Sequence, residues 1–228
     1  RELRAKHPKV EIESCSGGGG RVDLGILGLT DEVWPSDNTD PFDRLTIQDG
    51  FTYAYTPGVM MAWVTDSPNW GNRRTTSVEY RFLSSMQGSL GVGADLDKWT
   101  PEDFAVAKDM IAAYKEVRET VQHGSLYRLI SPQHDSEYSA TESVSLDKRQ
   151  AVLFTFLHSS SKGYPFPTVH LRGLDPARQY RLRAIHDAKA AGAPEVASGS
   201  YWMAHGIDVL LRGDFQAAGF ILEDTAGR

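Results

Sequence analysis

The sequence predicts an α/β unit over residues 1–124, resembling the later part of a (β/α)8 barrel, followed by an antiparallel β-sandwich over residues 125–228. Two observations carry this. Short apolar runs alternate with helix-patterned segments as far as Gly124, the arrangement of layered α/β folds. Beyond it come strand-length runs separated by turn residues such as Gly173-Leu174-Asp175-Pro176, and such strands bury one face each by packing sheet on sheet.

Each element has a local reason. Residues 9–14 predict a strand, with Val10, Ile12 and Ser14 on one face and Glu11, Glu13 and Cys15 on the other. Residues 24–29 predict a short helical or loop segment, and 31–34 a second strand. Asp40 as N-cap, Pro41 at the first helical position and Asp43 in a capping-box-like place predict a helix from 41 to about 49, stopped by Gly50. Residues 53–65 predict a strand, 77–86 a helix and 88–95 a Gly-rich strand end. Thr100 caps the clearest helix and Pro101 opens it, while Glu102 and Asp103 suit its positive end. Phe104, Ala107, Ile111 and Tyr114 then recur at helical spacing up to His123-Gly124. In the second region the predicted strands are 125–130, 137–144, 151–158, 168–171, 180–185, 207–211 and 217–222.

Composition bounds the function. With 40% hydrophobic and 24% charged residues in 228, this is an ordinary globular chain long enough for a sizeable core. It has no apolar run long enough to span a membrane. A net charge of -6 argues against a nucleic-acid partner. The basic cluster at 178–183 alternates with Tyr180 and Leu182, as the wet face of a strand does. Cys15 is the single cysteine, which excludes an internal disulfide and fits a reducing compartment, the cytoplasm. The seven His have no metal-ligand spacing. A start at Arg1 without a signal pattern suggests a piece of a longer protein or a processed product.

Two stretches carry chemistry: Glu13-Ser14-Cys15-Ser16-Gly17-Gly18-Gly19-Gly20-Arg21 and Trp34-Pro35-Ser36-Asp37-Asn38-Thr39-Asp40-Pro41. Four glycines after a strand make either a tight turn or a loop whose backbone approaches a ligand. No Gly-Lys-Ser/Thr follows, so a phosphate loop is not indicated. Asp40 and Asp43 have work as helix-start residues. Asp37 has none, and it sits in the loop after a strand, the active-site face of β/α barrels. A carboxyl there, beside Trp34, has the placement of a general acid whose neutral form a partly apolar site favours. Trp34 either stacks on a sugar ring or packs under the loop. Glu13 is expected in the barrel core, needing a partner such as Arg21. Cys15 is either a small buried side chain or, with a cationic neighbour, a nucleophile. Ser159 to Ser161 after His158 has the residue types of a hydrolase triad but no Gly-x-Ser-x-Gly elbow, so a strand-end loop is expected.

Together the two motifs resemble the C-terminal half of a bacterial α-galactosidase of glycoside hydrolase family 36. Residues 88–96 with Asp97-Lys98-Trp99-Thr100 are similar to that family's last barrel strand and its turn into the final helix. Tyr114-Lys115 and Gly124-Ser125-Leu126-Tyr127-Arg128-Leu129 are similar to its passage into the C-terminal β-domain. The likeness is strong over residues 2–130 and weaker beyond.

The resemblance implies strands five to eight of a TIM barrel for residues 1–124 and retaining hydrolysis of terminal α-galactosides of the melibiose or raffinose type. It implies no cofactor, and a homo-oligomer for the full-length enzyme. Asp37 is implied as acid/base, Cys15 as a contact to galactose, Gly17 and Gly18 as pocket wall and Trp34 as a neighbour of the sugar. The family's nucleophile is the Asp of a Lys-Trp-Asp-Met-Asn motif one strand earlier. This chain has no Lys-Trp-Asp, and Lys98-Trp99 is followed by Thr100. Gly93-Ala94 also departs from the bulkier residues common in the family.

The isolated chain is therefore expected to be inactive. With two open barrel edges it should be poorly soluble or paired with the missing half. A non-catalytic carbohydrate-binding remnant and a raffinose-synthase-like transglycosylase are the competing readings.

Overall fold

The computed structural model describes residues 1–133, 136–160 and 165–226. A short helix α1 (Glu2–Lys6) leads to β1 (Glu13–Ser14), which runs parallel to β2 (Glu32–Val33). Val33 bridges in parallel to Met60, and β3 (Met61–Val64) runs parallel to β4 (Ser89–Val92). The four strands thus stand side by side in chain order, with α2 (Leu24–Leu27), α3 (Asp43–Phe51) and α4 (Val78–Ser85) in their connections. Parallel neighbours require such crossovers. The pleat shows in β3, where Ala62 and Val64 are buried and Trp63 faces out.

Local capping chemistry sets the helix starts. Asp40 Oδ1 accepts the backbone N–H groups of Phe42 and Asp43 at 3.1 and 2.9 Å. The reciprocal half of the expected capping box is absent, because the Asp43 carboxyl is taken by Asn38 Nδ2 and Arg74. Asp40 is fully buried and also ion-pairs with Arg74. The helix α5 (Pro101–His123) carries the complete box: Thr100 Oγ1 accepts the Asp103 N–H, and Asp103 Oδ2 accepts the Thr100 N–H.

The C-terminal part is one six-stranded antiparallel sheet. In chain order its strands are β5 (Ser125–Ile130), β6 (Tyr138–Val144), β7 (Gln150–Leu157), β8 (Gln179–Ile185), β10 (Val196–Ser198) and β12 (Gln216–Asp224), in spatial order β10-β8-β12-β7-β6-β5. On β8, Tyr180 and Ile185 are buried while Arg181 and Arg183 are exposed, as expected of a half-wet strand.

Among the described residues a full second sheet is not formed, which corrects the expected sandwich. One face of the sheet, with Val152, Phe154, Phe156 and Ile221, packs on Leu83 of α4 and Met110 and Val117 of α5, in a single cluster that crosses residue 124. The other face is covered by Phe166, Leu171, Trp202 of α6 (Gly199–His205) and a two-stranded ribbon, β9 (Ala190–Ala191) with β11 (Asp208–Val209). The strand expected at 168–171 makes only the bridge Val169–Ile207. Helices already occupy one sheet face, so the covering layer needs apolar side chains rather than a ladder, and alternating apolar residues serve either purpose. The expected strand at 9–14 is likewise confined to Glu13–Ser14, and that at 53–65 to Met61–Val64.

Glu142 and His158 are among the titratable groups buried in this part. Glu142 on β6 is fully buried, and its Oε2 accepts the Arg172 backbone N–H at 2.7 Å. Burial pushes it up to about 8. His158 follows β7 and is pushed down to about 4, chiefly by burial. No helix among the described residues is long and apolar enough to cross a membrane.

Candidate active site

The four parallel strands deliver one cleft. Cys15 follows β1, Trp34 and Asp37 follow β2, Thr65 and Asp66 follow β3, and Gly93 follows β4. These residues, with Glu13, Thr39, Trp63 and Trp70, line a cavity of about 450 Å³. It lies at the carboxyl ends of the strands, where the loops of β/α folds converge.

The glycine run is a packing device. Gly17 and Gly18 have φ of 53° and 75°, the left-handed region that glycine tolerates. A Cβ on Gly18 would lie 2.9 Å from the Asp37 nitrogen and 3.1 Å from the Ser36 Cα. One on Gly19 would lie 2.5 Å from the Pro35 oxygen. The run therefore presses on the backbone that carries Asp37. Cys15, next to it, is exposed rather than buried and borders the cleft.

Asp37 is exposed rather than sunk in an apolar pocket, and Trp34 holds it. The Trp34 indole Nε1–H donates to Asp37 Oδ1 at 3.0 Å. Trp34 is 7% exposed and packs under the loop, with part of it bordering the cleft. Its ring meets Trp63 at a 4.8 Å centroid distance and the Arg44 guanidinium at 5.0 Å. Arg44 donates to the Met61 carbonyl at 2.7 Å and the Ser36 carbonyl at 3.4 Å, which ties α3 to the loop. Burial lowers the Arg44 guanidinium to about 10, so it stays charged at neutral pH. Asn38 Oδ1 accepts the Asp40 N–H at 3.0 Å. Asp40, Asp43 and Asn38 are thus all committed to the loop and helix, and Asp37 alone of the motif's carboxyls faces the cleft.

Glu13 differs from expectation. It is exposed at the cleft and makes no ion pair with Arg21 among the described residues. The pleat turns the neighbouring Ser14 inward, where its hydroxyl donates to the Arg21 carbonyl at 3.2 Å. Asp95 is fixed to Lys98 at 3.0 Å, which holds its carboxyl below the usual range. His158 pairs with Ser139 Oγ at 3.3 Å and with the Ser136 carbonyl at 2.9 Å. The carbonyl can only accept, so Nδ1 carries the proton and Nε2 takes the Ser139 hydroxyl. Both side chains are buried, so the pair has no access to substrate. Ser161 lies outside the described residues.

Four cleft residues were missed in the sequence: Trp63, Thr65, Asp66 and Trp70. Trp63 is 38% exposed and lies across β4, where a Cβ on Gly91 or Gly93 would come within 2.6 or 2.8 Å of its ring. The small residue at 93 is thereby explained, since Trp63 takes the room. A signal existed in the run 61–64, whose one large outward residue is Trp63. Asp66 Oδ1 accepts the Asp95 N–H at 2.9 Å. Trp70 stands in Pro68-Asn69-Trp70-Gly71-Asn72, a tryptophan among turn residues, and is 68% exposed.

Known proteins share this fold. The family model described as Melibiase matches residues 1–124, and that described as the glycosyl hydrolase family 36 C-terminal domain matches residues 138–222. Alpha-galactosidase C of Emericella nidulans is 40% identical over 180 residues, 79% of this chain and 24% of that protein. The crystal structure of the GH36 alpha-galactosidase AgaB from Geobacillus stearothermophilus superposes with a TM-score of 0.89 at 33% identity, over 98% of this chain and 30% of that one. A variant of AgaA from the same organism, crystallised in complex with raffinose, gives 0.89 at 32% identity, with the same coverage. The chain thus spans about a quarter of the length of the curated relatives it matches.

Proposed function

This chain belongs to glycoside hydrolase family 36, and we propose that it supplies the acid/base part of a retaining α-galactosidase site. The observation that carries the proposal is the Trp34 Nε1–H bond to Asp37 Oδ1, in a cleft also bordered by Cys15. An indole N–H can only donate. While that bond holds, a proton on the carboxyl sits on Oδ2, so one oxygen is anchored and the other is free to work.

In the proposed reaction, a carboxylate outside residues 1–228 attacks the anomeric carbon of a terminal α-galactoside. The bond to the leaving oxygen breaks, and that oxygen takes the proton from Asp37 Oδ2. Asp37, now a carboxylate, then takes a proton from water as the water oxygen displaces the enzyme carboxylate and frees galactose. Retaining pairs stand ~5–5.5 Å apart, so the second carboxyl must reach this same cleft. Cys15 contacts the galactosyl group. Gly17 and Gly18 act through the wall they form against Ser36 and Asp37.

Residues 1–124 then stand for barrel strands five to eight and 125–228 for the C-terminal β-domain, a reading supported by the parallel order of β1 to β4. The substrates are α-galactosides of the melibiose or raffinose type, supported by the raffinose complex of the AgaA variant. The single exposed thiol suits a reducing compartment, the cytoplasm.

The test is galactose release from melibiose by the full-length polypeptide carrying this chain, by its Asp37→Ala form, and by residues 1–228 alone. Asp37→Ala should lose ~10²–10⁴-fold, the range for general acid–base catalysis, and residues 1–228 should release nothing above their own Asp37→Ala control. Equal rates with and without Asp37 refute its role. Release by residues 1–228 above that control refutes the need for an outside nucleophile.

A further inference from the structure

A second cleft, of about 250 Å³, opens beside the first, and Asp37, Thr39 and Trp70 are the residues that line both. The larger cleft has Cys15 and Trp63 as its own walls, while the smaller has Asn38, Asp43 and Asn72. A general acid must reach the bridging oxygen of the bond it cleaves. That oxygen joins two groups, so a bond held at Asp37 places one group in each cleft. With the galactosyl group beside Cys15, the leaving group falls in the smaller cleft.

Trp70 is built to meet it. At 68% exposure it leaves most of its ring in solvent, and no other ring pairs with it among the described residues. Its loop is nevertheless firmly held. The buried Asn69 accepts the Gly71 and Asn72 N–H groups through Oδ1 at 2.9 and 3.4 Å, and donates through Nδ2 to Thr39 Oγ1 at 3.3 Å. Asn69 also exchanges backbone hydrogen bonds with Arg73 and Arg74 at 3.0 and 2.9 Å. A large exposed indole on a fixed loop presents a flat apolar surface at little entropic cost on binding. Around it, polar groups have capacity left. The Asn72 carbonyl oxygen holds the Arg74 N–H at 2.9 Å, which leaves the Nδ2 amide to donate. The Thr39 hydroxyl accepts from Asn69 and keeps its own hydrogen.

We propose that Trp70 is the platform for the leaving-group sugar, stacking on the apolar face of a hexopyranose whose hydroxyls meet Asn72 and Thr39. This rests on the α-galactosidase reading and deepens it, since it assigns recognition of the leaving-group sugar to Trp70, Asn72 and Thr39.

The test uses the full-length enzyme carrying this chain, with melibiose and methyl α-galactoside as paired substrates. Trp70→Ala should lower kcat/KM for melibiose about tenfold more than for methyl α-galactoside, one aromatic contact converted to a rate ratio, because the methyl leaving group is too small to touch the platform. Trp70→Phe should recover most of the melibiose rate. Equal loss on both substrates, or no loss on either, overturns the assignment. A wild-type enzyme that cleaves neither substrate overturns the α-galactosidase reading itself, and this inference with it.

Discussion

Replacing Trp34 with Phe tests whether the indole N–H sets the working carboxyl oxygen. The substitution keeps an aromatic ring between Trp63 and Arg44 but removes the donor that lies 3.0 Å from Asp37 Oδ1. A hydrogen bond to a charged group contributes ~1.5–3 kcal/mol. If that energy serves to hold the carboxyl in its working rotamer, its loss lowers the acid-assisted step by about 10- to 100-fold. The effect must depend on how much the leaving group needs a proton. The sugar leaving from melibiose departs as a poorly acidic alcohol, so this substrate should show the whole loss. From p-nitrophenyl α-galactoside the leaving group departs as a stabilised phenolate, so this substrate should lose little in the first step. The assay is kcat/KM for both substrates in the full-length enzyme, with thermal unfolding as a control. Trp34 is nearly buried, so some stability is lost, though less than the ~3–5 kcal/mol of a Trp→Ala truncation. An equal loss on both substrates, or an unchanged melibiose rate, refutes the role given to the indole.

Two other expectations follow from the same residues. Gly18→Ala puts a Cβ 2.9 Å from the Asp37 nitrogen at a φ of 75°. It should cost ~1–2 kcal/mol of stability yet lower the melibiose rate by about 10²-fold, because the carboxyl is displaced; a variant with wild-type kcat contradicts this. His158 and Glu142 should act in opposite directions on stability against pH. His158 is lowered from 6.5 to about 4, so the unfolded chain takes up a proton that the folded chain refuses, and stability drops as pH falls through that window, by ~3 kcal/mol at most. Glu142 is raised from 4.5 to about 8, so stability present at low pH drops as pH rises between those values. Urea unfolding at several pH values should find stability falling more steeply with rising pH between about 4.5 and 6.5 in His158→Asn, and the fall between about 6.5 and 8 removed in Glu142→Gln.

Much of the site was legible because its parts act locally. Thr100 and Pro101 start α5 through bonds to residues three places on, and Asp40 caps α3 in the same way. Asp37 stood out by subtraction, since Asp40 and Asp43 had tasks that a sequence makes visible. The two motifs were also close enough in character to a known family to name it. What lay hidden needed partners distant along the chain. Glu13 and Ser14 could be assigned to opposite faces, but which face was the cleft depended on β2 lying alongside. Trp63 could be seen to point out of β3, but its place across Gly91 and Gly93 depended on the register of β3 with β4. The second layer over the C-terminal sheet was misread because a covering segment and a strand share the same apolar alternation.

Sequence by itself determined the local chemistry: the helix starts, the change from α/β to β near residue 124, and the candidacy of Asp37 and Cys15. Tertiary structure alone decided which of these groups meet. It set Gly18 against the Asp37 backbone, turned the Trp34 N–H onto the Asp37 carboxyl and raised Trp70 between two clefts. The physical reason is range. Caps and pleats are settled by neighbours within a turn or two of chain, whereas a cleft is made by close packing between segments whose separation along the chain carries no record of their contact.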